Sequence, residues 1–248
     1  MSVSDNSPQA SITHHLREMR KRLVTSVIAT ALAFVVTYYF SDYLYGLLSA
    51  PVLAALPEDN EFLAFTGVIE PFYTYLKVAL TASIVLASPV IFYEIWAFSA
   101  PGLLKSEKKW FFPIVLFSVV LFCLGVLFAY FVVFPVAFKF LLGYAASELR
   151  PVLSMGVYFS FATKMLLAFA IVFEMPLFVL VLSRLGLLTA KKLIAWWKYA
   201  LISSVIVGAL LTPPDIFSQA LMAAPIMVLY LISIVVARLF EKKKIDEE

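Results

Sequence analysis

Apolar residues in this chain come in long runs separated by short polar segments, without the strict alternation that marks a half-buried strand. The runs cover about residues 23–44, 72–98, 110–138, 157–183, 193–211 and 215–238. A helix needs about 20 residues to cross a hydrocarbon core about 30 Å thick. The fifth run is the short one: only Tyr199 to Leu211 is free of charge, about 20 Å of helix, so a thinned bilayer or a water-filled dent is expected beside it. Pro89, Pro113, Pro135, Pro176 and Pro225 fall inside runs, as kinked helices in a bundle tolerate and barrel strands do not. The pattern predicts an all-α fold, one membrane domain over 1–248 built as a polytopic bundle of six kinked transmembrane helices. Residues 1–22 end in a basic amphipathic segment, with Ile12, Leu16 and Met19 near helical spacing, expected to lie at the membrane surface. Residues 239–248 form a charged tail, expected to be disordered.

Composition and charge orient the bundle. Of the 248 residues 63% are hydrophobic and 14% charged, with mean hydropathy +0.97, which excludes an ordinary soluble domain. Placing both termini in the cytosol puts fifteen of the nineteen lysines and arginines inside. The other four, Lys77, Lys139, Arg150 and Lys164, sit near outer ends of spans, where long stems snorkel. All four tryptophans fall near inner ends, as interfacial anchors. The segment from Tyr45 to Pro71 holds Glu58, Asp59, Glu61 and Glu70 and no base; it reads as an outer loop in which Pro51 and Pro57 break any long helix. The first run is too long for a signal-peptide core and is read as retained, and the lack of a transit peptide favours a prokaryotic inner membrane.

Little catalytic chemistry is available. The two histidines are adjacent at His14 and His15, outside the spans, so no serine–histidine pair forms within the membrane, and neither a His-Glu-x-x-His metal motif nor a P-loop is present. Cys123 is the single cysteine and reads as a small buried hydrophobe. Asp42 and Asp215 fall near the outer surface, Asp215 as a helix cap, which makes a paired-aspartate protease a poor fit. No enzyme, cofactor, metal or nucleic-acid site is expected.

Two acidic features stand out. Glu174 lies in the middle of the fourth run, ten residues before Arg184 and so about 15 Å deep, where an ionised carboxylate facing lipid costs on the order of 2.5 kcal/mol or more. It must face protein or water, either as a packing hydrogen bond or as a functional group; with Glu94 it keeps open a proton- or ion-coupled small-solute carrier, although the two halves of the chain show no repeat. Glu18 and Glu107 stand in otherwise basic cytosolic segments. They form either a docking site for a cationic peptide, suited to the bidentate bonding of arginine, or ordinary local pairs such as Glu18 with Arg22.

Five stretches carry a resemblance. Thr13-His14-His15-Leu16-Arg17-Glu18-Met19-Arg20-Lys21-Arg22, Trp96-Ala97-Phe98-Ser99-Ala100-Pro101-Gly102-Leu103 through Glu107, Phe128-Ala129-Tyr130-Phe131-Val132-Val133-Phe134-Pro135, Phe173-Glu174-Met175-Pro176, and Leu211-Thr212-Pro213-Pro214-Asp215-Ile216-Phe217-Ser218-Gln219 resemble, in order, signatures of the TatC family, the multispanning receptor subunit of the twin-arginine protein translocase. Met19 stands where the family usually has leucine. The resemblance implies that Glu18 and Glu107 bind the paired arginines of a signal peptide on folded cargo, with Arg20 and Phe98 close by. It implies assembly with single-span TatA- and TatB-type subunits, homo-oligomerisation within a larger complex, and export driven by the proton-motive force. It also implies a cup-shaped bundle in which Glu174 faces a partner helix or a hydrated groove, the segment around Pro51 and Pro71 supports the cup, and the turn at Asp215 forms a docking edge.

Overall fold

The computed structural model describes residues 8–56, 62–99, 110–143, 152–212 and 215–241, with side chains from residue 16 onward. Glu107, Pro57, the acids at 58, 59 and 61, Arg150, Pro213, Pro214 and residues 242–248 lie outside the described residues, while residues 239 and 240, expected in the tail, are helical. Five long apolar helical stretches and one shorter helix reproduce the expected set of six.

Residues 9–45 contain neither glycine nor proline, and α1 runs from Pro8–Tyr39 without a break at Leu23. The basic segment is thus continuous in backbone with the spanning helix. The chain turns at Phe40 and continues as α2, Ser41–Leu53. This corrects the reading of Pro51 as a helix breaker, since it lies inside α2. A proline has no N–H to offer the carbonyl four residues back, here that of Leu47, and the phenol of Tyr130 donates to that carbonyl at 2.7 Å. Tyr158 similarly donates to the carbonyl of Leu48. Two tyrosines from other spans therefore fix α2 across the end of the bundle.

α3, Glu70–Ser99, carries Pro71 in its first turn, where the missing N–H costs nothing. It packs against α1, with Thr37 donating to the carbonyl of Ala79 at 2.8 Å. α4, Phe111–Phe128, passes through a π-helical turn, Ala129–Val133, into α5, Phe134–Leu142. The wide turn comes just before Pro135, whose missing N–H interrupts the regular ladder there. The fourth run divides at Glu174 into α6, Met155–Phe173, and α7, Met175–Arg184, with Pro176 in the first turn of the second piece. The fifth is α8, Ala190–Ala195, then a break at Trp196 and α9, Trp197–Leu211; the sixth is α10, Ile216–Phe240.

A short parallel ladder that the apolar pattern did not reveal joins β1, Leu63–Ala64, to β2, Leu153–Ser154. Beside it one carboxylate gathers five donors. Glu70 Oε2 accepts from the amides of Thr66 and Gly67 and the Thr66 hydroxyl, and Oε1 from the Ser154 hydroxyl and the Gly156 amide, at 2.6–3.2 Å. From the sequence Glu70 reads only as one acid of an outer loop. The main core lies in this half and includes Val52, Val78, Phe134, Phe159, Met165 and Phe169. A cluster around Phe92, Trp96, Phe122 and Leu177 joins α3, α4 and α7, and another around Val179, Leu193 and Ile234 joins α7 to the last two spans.

Candidate functional site

The beginning of α1 and the ends of α3, α7 and α10 meet at one face. It carries exposed Arg17, Arg20, Lys21 and Arg238, and is called the basic face below. Here the guanidinium of Arg22 joins two acids: its Nη2 lies 2.6 Å from Glu18 Oε1, and its Nη1 lies 3.1 Å from Glu94 Oε2. The Nε of Arg22 also donates to Glu18 at 3.2 Å. The local pair considered from spacing thus exists, but it is one arm of a bridge between α1 and α3. Glu94 is a residue that sequence reasoning groups with Glu174 and not with this site. A pairing 72 residues apart leaves no signal in local spacing; the hint is an acid near the end of an otherwise apolar run.

All three side chains are partly exposed, at 24%, 26% and 15% for Arg22, Glu18 and Glu94, so the bridge is open to competition from another cation. Arg20 points into solvent and Phe98, in the last turn of α3, is half-buried. Geometry therefore gathers Glu18, Arg22 and Glu94, while Glu107 lies outside the described residues.

The second candidate is inside the bundle. Glu174 is 2% exposed and caps both α6 and α7, its backbone at φ −72°, ψ −16°. Its carboxyl faces the hydroxyl of Ser118 and the amide of Phe122 on α4, yet neither oxygen reaches hydrogen-bond geometry among the described residues. Ser118 itself accepts from the indole of Trp96 at 2.8 Å. Trp96, Ser118 and Glu174 thus form a polar line across α3, α4 and the α6–α7 break. Sequence reasoning found the acid but missed its companions, because a serine and a tryptophan in apolar runs read as packing.

On the opposite face Asp215 caps α10, Oδ1 accepting from the Ser218 amide at 2.6 Å, while Oδ2 is buried without a partner among the described residues. The described residues contain no cluster of three metal-ligating side chains.

Fold and sites together define a multi-pass helical membrane protein that has an acid–arginine bridge at one face and a carboxyl held at a break in its fourth span. The family model described as Sec-independent protein translocase protein (TatC) matches residues 14–225. The TatC of Desulforapulum autotrophicum is 45% identical over 99% of this chain and 91% of its own length; that of Aquifex aeolicus is 41% identical over 94% and 97%. The Escherichia coli K12 protein is 38% identical over 100% and 95%. A crystal structure described as the twin arginine translocase receptor TatC superposes with a TM-score of 0.83 at 41% identity, covering 91% of this chain and 98% of the other. The chain belongs to the TatC family. It is a transport component of the Sec-independent protein translocase, not an enzyme.

Proposed function

We propose that the chain is the receptor subunit of this translocase, binding the twin-arginine signal peptide of a folded protein at the basic face, which lies in the cytosol together with both termini. The observation that carries the reading is the Glu18–Arg22–Glu94 bridge. These carboxylates already hold a guanidinium, so an incoming arginine meets acceptors spaced for it. Glu107 adds a further carboxylate from the following loop, and Arg20 and Phe98 line the approach. The solved relative's description as a receptor supports the same reading.

Single-span TatA- and TatB-type subunits dock in the membrane, one of them presenting a polar side chain to Glu174, another using the edge formed by the short α9 and the turn at Asp215. The chain sits in the inner membrane as a homo-oligomer within a larger complex, and the proton-motive force drives export. Its bundle is cup-shaped, supported by the segment around Pro51 and Pro71. The carrier reading loses ground because Glu94 is engaged by Arg22.

The test is equilibrium binding of an Arg-Arg signal peptide and its Lys-Lys counterpart to the detergent-solubilised protein at two salt concentrations. We expect preference for Arg-Arg, reduced in Glu18→Ala and in Glu107→Ala. Equal binding of both peptides, or wild-type affinity in both variants, would reject the assignment.

A further inference from the structure

The start of α4 and the ends of α7 and α10 enclose a groove of about 310 Å³ that neither the acid–arginine bridge nor Glu174 uses. Its walls are apolar, formed by Pro113, Ile114 and Phe117 on α4, Leu177 and Leu180 on α7 and Val236 on α10, and the single charged residue lining it is Arg184. Trp110 and Phe240 stand at the same end. The Arg184 guanidinium lies 5.2 Å from the Trp110 ring centroid and 5.1 Å from that of Phe240. Contact with the two ring faces steadies the cation and leaves its N–H groups to hydrogen-bond an anion. Among the described residues Arg184 has no carboxylate partner.

We propose that this groove binds an anionic phospholipid, one acyl chain lying along α4 and α7 and the phosphate resting on Arg184. The length of the groove and the place of its charge suit a lipid. From Trp110 to Leu121 the groove follows α4 for about 16 Å, roughly half of a 30 Å hydrocarbon core and so the depth of one leaflet. The charge is placed to match: Arg184 is the last residue of α7, where a lipid headgroup meets the span, and everything deeper in the groove is hydrocarbon. The site stands at one membrane face whichever way the bundle is oriented, so it does not rest on the proposed receptor role.

Trp110 provides the readout. The delipidated full-length protein is titrated in detergent with phosphatidylglycerol or phosphatidylcholine carrying brominated acyl chains, and tryptophan quenching is followed, with Trp110→Phe defining the part due to the groove. We expect saturable quenching of Trp110, with phosphatidylglycerol bound about fivefold more tightly than phosphatidylcholine. Arg184→Gln should abolish that preference and Arg184→Lys should retain it. Leu180→Phe, which narrows the groove without touching charge, should weaken both lipids, and thermal unfolding checks that each variant is folded. Equal affinity for the two lipids in the wild type, an unchanged preference in Arg184→Gln, or no saturable quenching of Trp110 would overturn the proposal and leave the groove to a polypeptide.

Discussion

Replacing Tyr130 by phenylalanine tests why Pro51 is tolerated inside a helix. The substitution removes one hydroxyl, and with it the 2.7 Å bond to the carbonyl of Leu47, which the ring of Pro51 has deprived of its usual helical donor. A net hydrogen bond contributes about 0.5–1.5 kcal/mol, and an acceptor orphaned in a buried place costs about 1–3 kcal/mol. The Leu47 residue is 46% exposed, so the lower part of that range applies, about 1–1.5 kcal/mol. The sharper test is the double-mutant cycle with Pro51→Ala. An alanine at 51 offers an N–H to Leu47, so Tyr130→Phe in that background should cost no more than about 0.5 kcal/mol. The coupling of about 1 kcal/mol exceeds the roughly 0.3–0.5 kcal/mol scatter of independent sites. Reversible unfolding in mixed micelles, followed by circular dichroism for the four proteins, measures it. Equal cost of Tyr130→Phe in both backgrounds would refute the link between proline and tyrosine.

Gly125 faces the backbone of α6, and a Cβ there would stand 2.5 Å from the Phe169 oxygen and 2.7 Å from the Ala170 Cα. Gly125→Ala should therefore destabilise by about 2–3 kcal/mol in the same unfolding assay, and a loss below about 0.5 kcal/mol would mean that α4 and α6 part easily. Asp215→Ala should cost about 1 kcal/mol as a lost cap and Asp215→Asn only a few tenths; a severe export defect in Asp215→Asn with normal unfolding would instead assign the buried second oxygen to a partner. Glu174→Ala should impair export of a folded twin-arginine cargo while leaving peptide binding within about twofold, and undiminished export would reduce Glu174 to packing.

Which parts of this structure were readable in the sequence follows from the range of the forces involved. Six apolar helices were legible because lipid imposes length and polarity on each segment separately. Glu174 was legible for the same reason, since a carboxyl in an apolar run is anomalous without reference to any other residue. The places where the reading fell short depend on two distant segments at once. Pro51 looked like a breaker because the donor that replaces its N–H comes from Tyr130, 83 residues away by the separation of the bonded pair. Glu70 looked like one of four loop acids because three of its donors are local but the other two arrive from Ser154 and Gly156. The continuity of α1 through Arg22 was readable in principle, in the absence of glycine and proline from 9 to 45; the abrupt change from charged to apolar at Leu23 drew attention to polarity over backbone.

The bridge at the basic face also constrains how the proposed receptor site works. Arg22 belongs to the same helix as Glu18, one turn on, so it competes with any incoming arginine at high effective concentration. Exchanging one guanidinium for another on the same carboxylate is close to neutral in energy, and a partly exposed pair contributes no more than about 1 kcal/mol in either state. Discrimination of arginine from lysine fits this arrangement, because Arg22 contacts Glu18 through two nitrogens and spans two acids, a geometry that a lysine ammonium does not reproduce. Tight binding does not follow from it. If the chain is the receptor proposed above, affinity for a signal peptide comes largely from contacts other than this bridge, and the acids at Glu18 and Glu94 select which peptide is held more than how strongly.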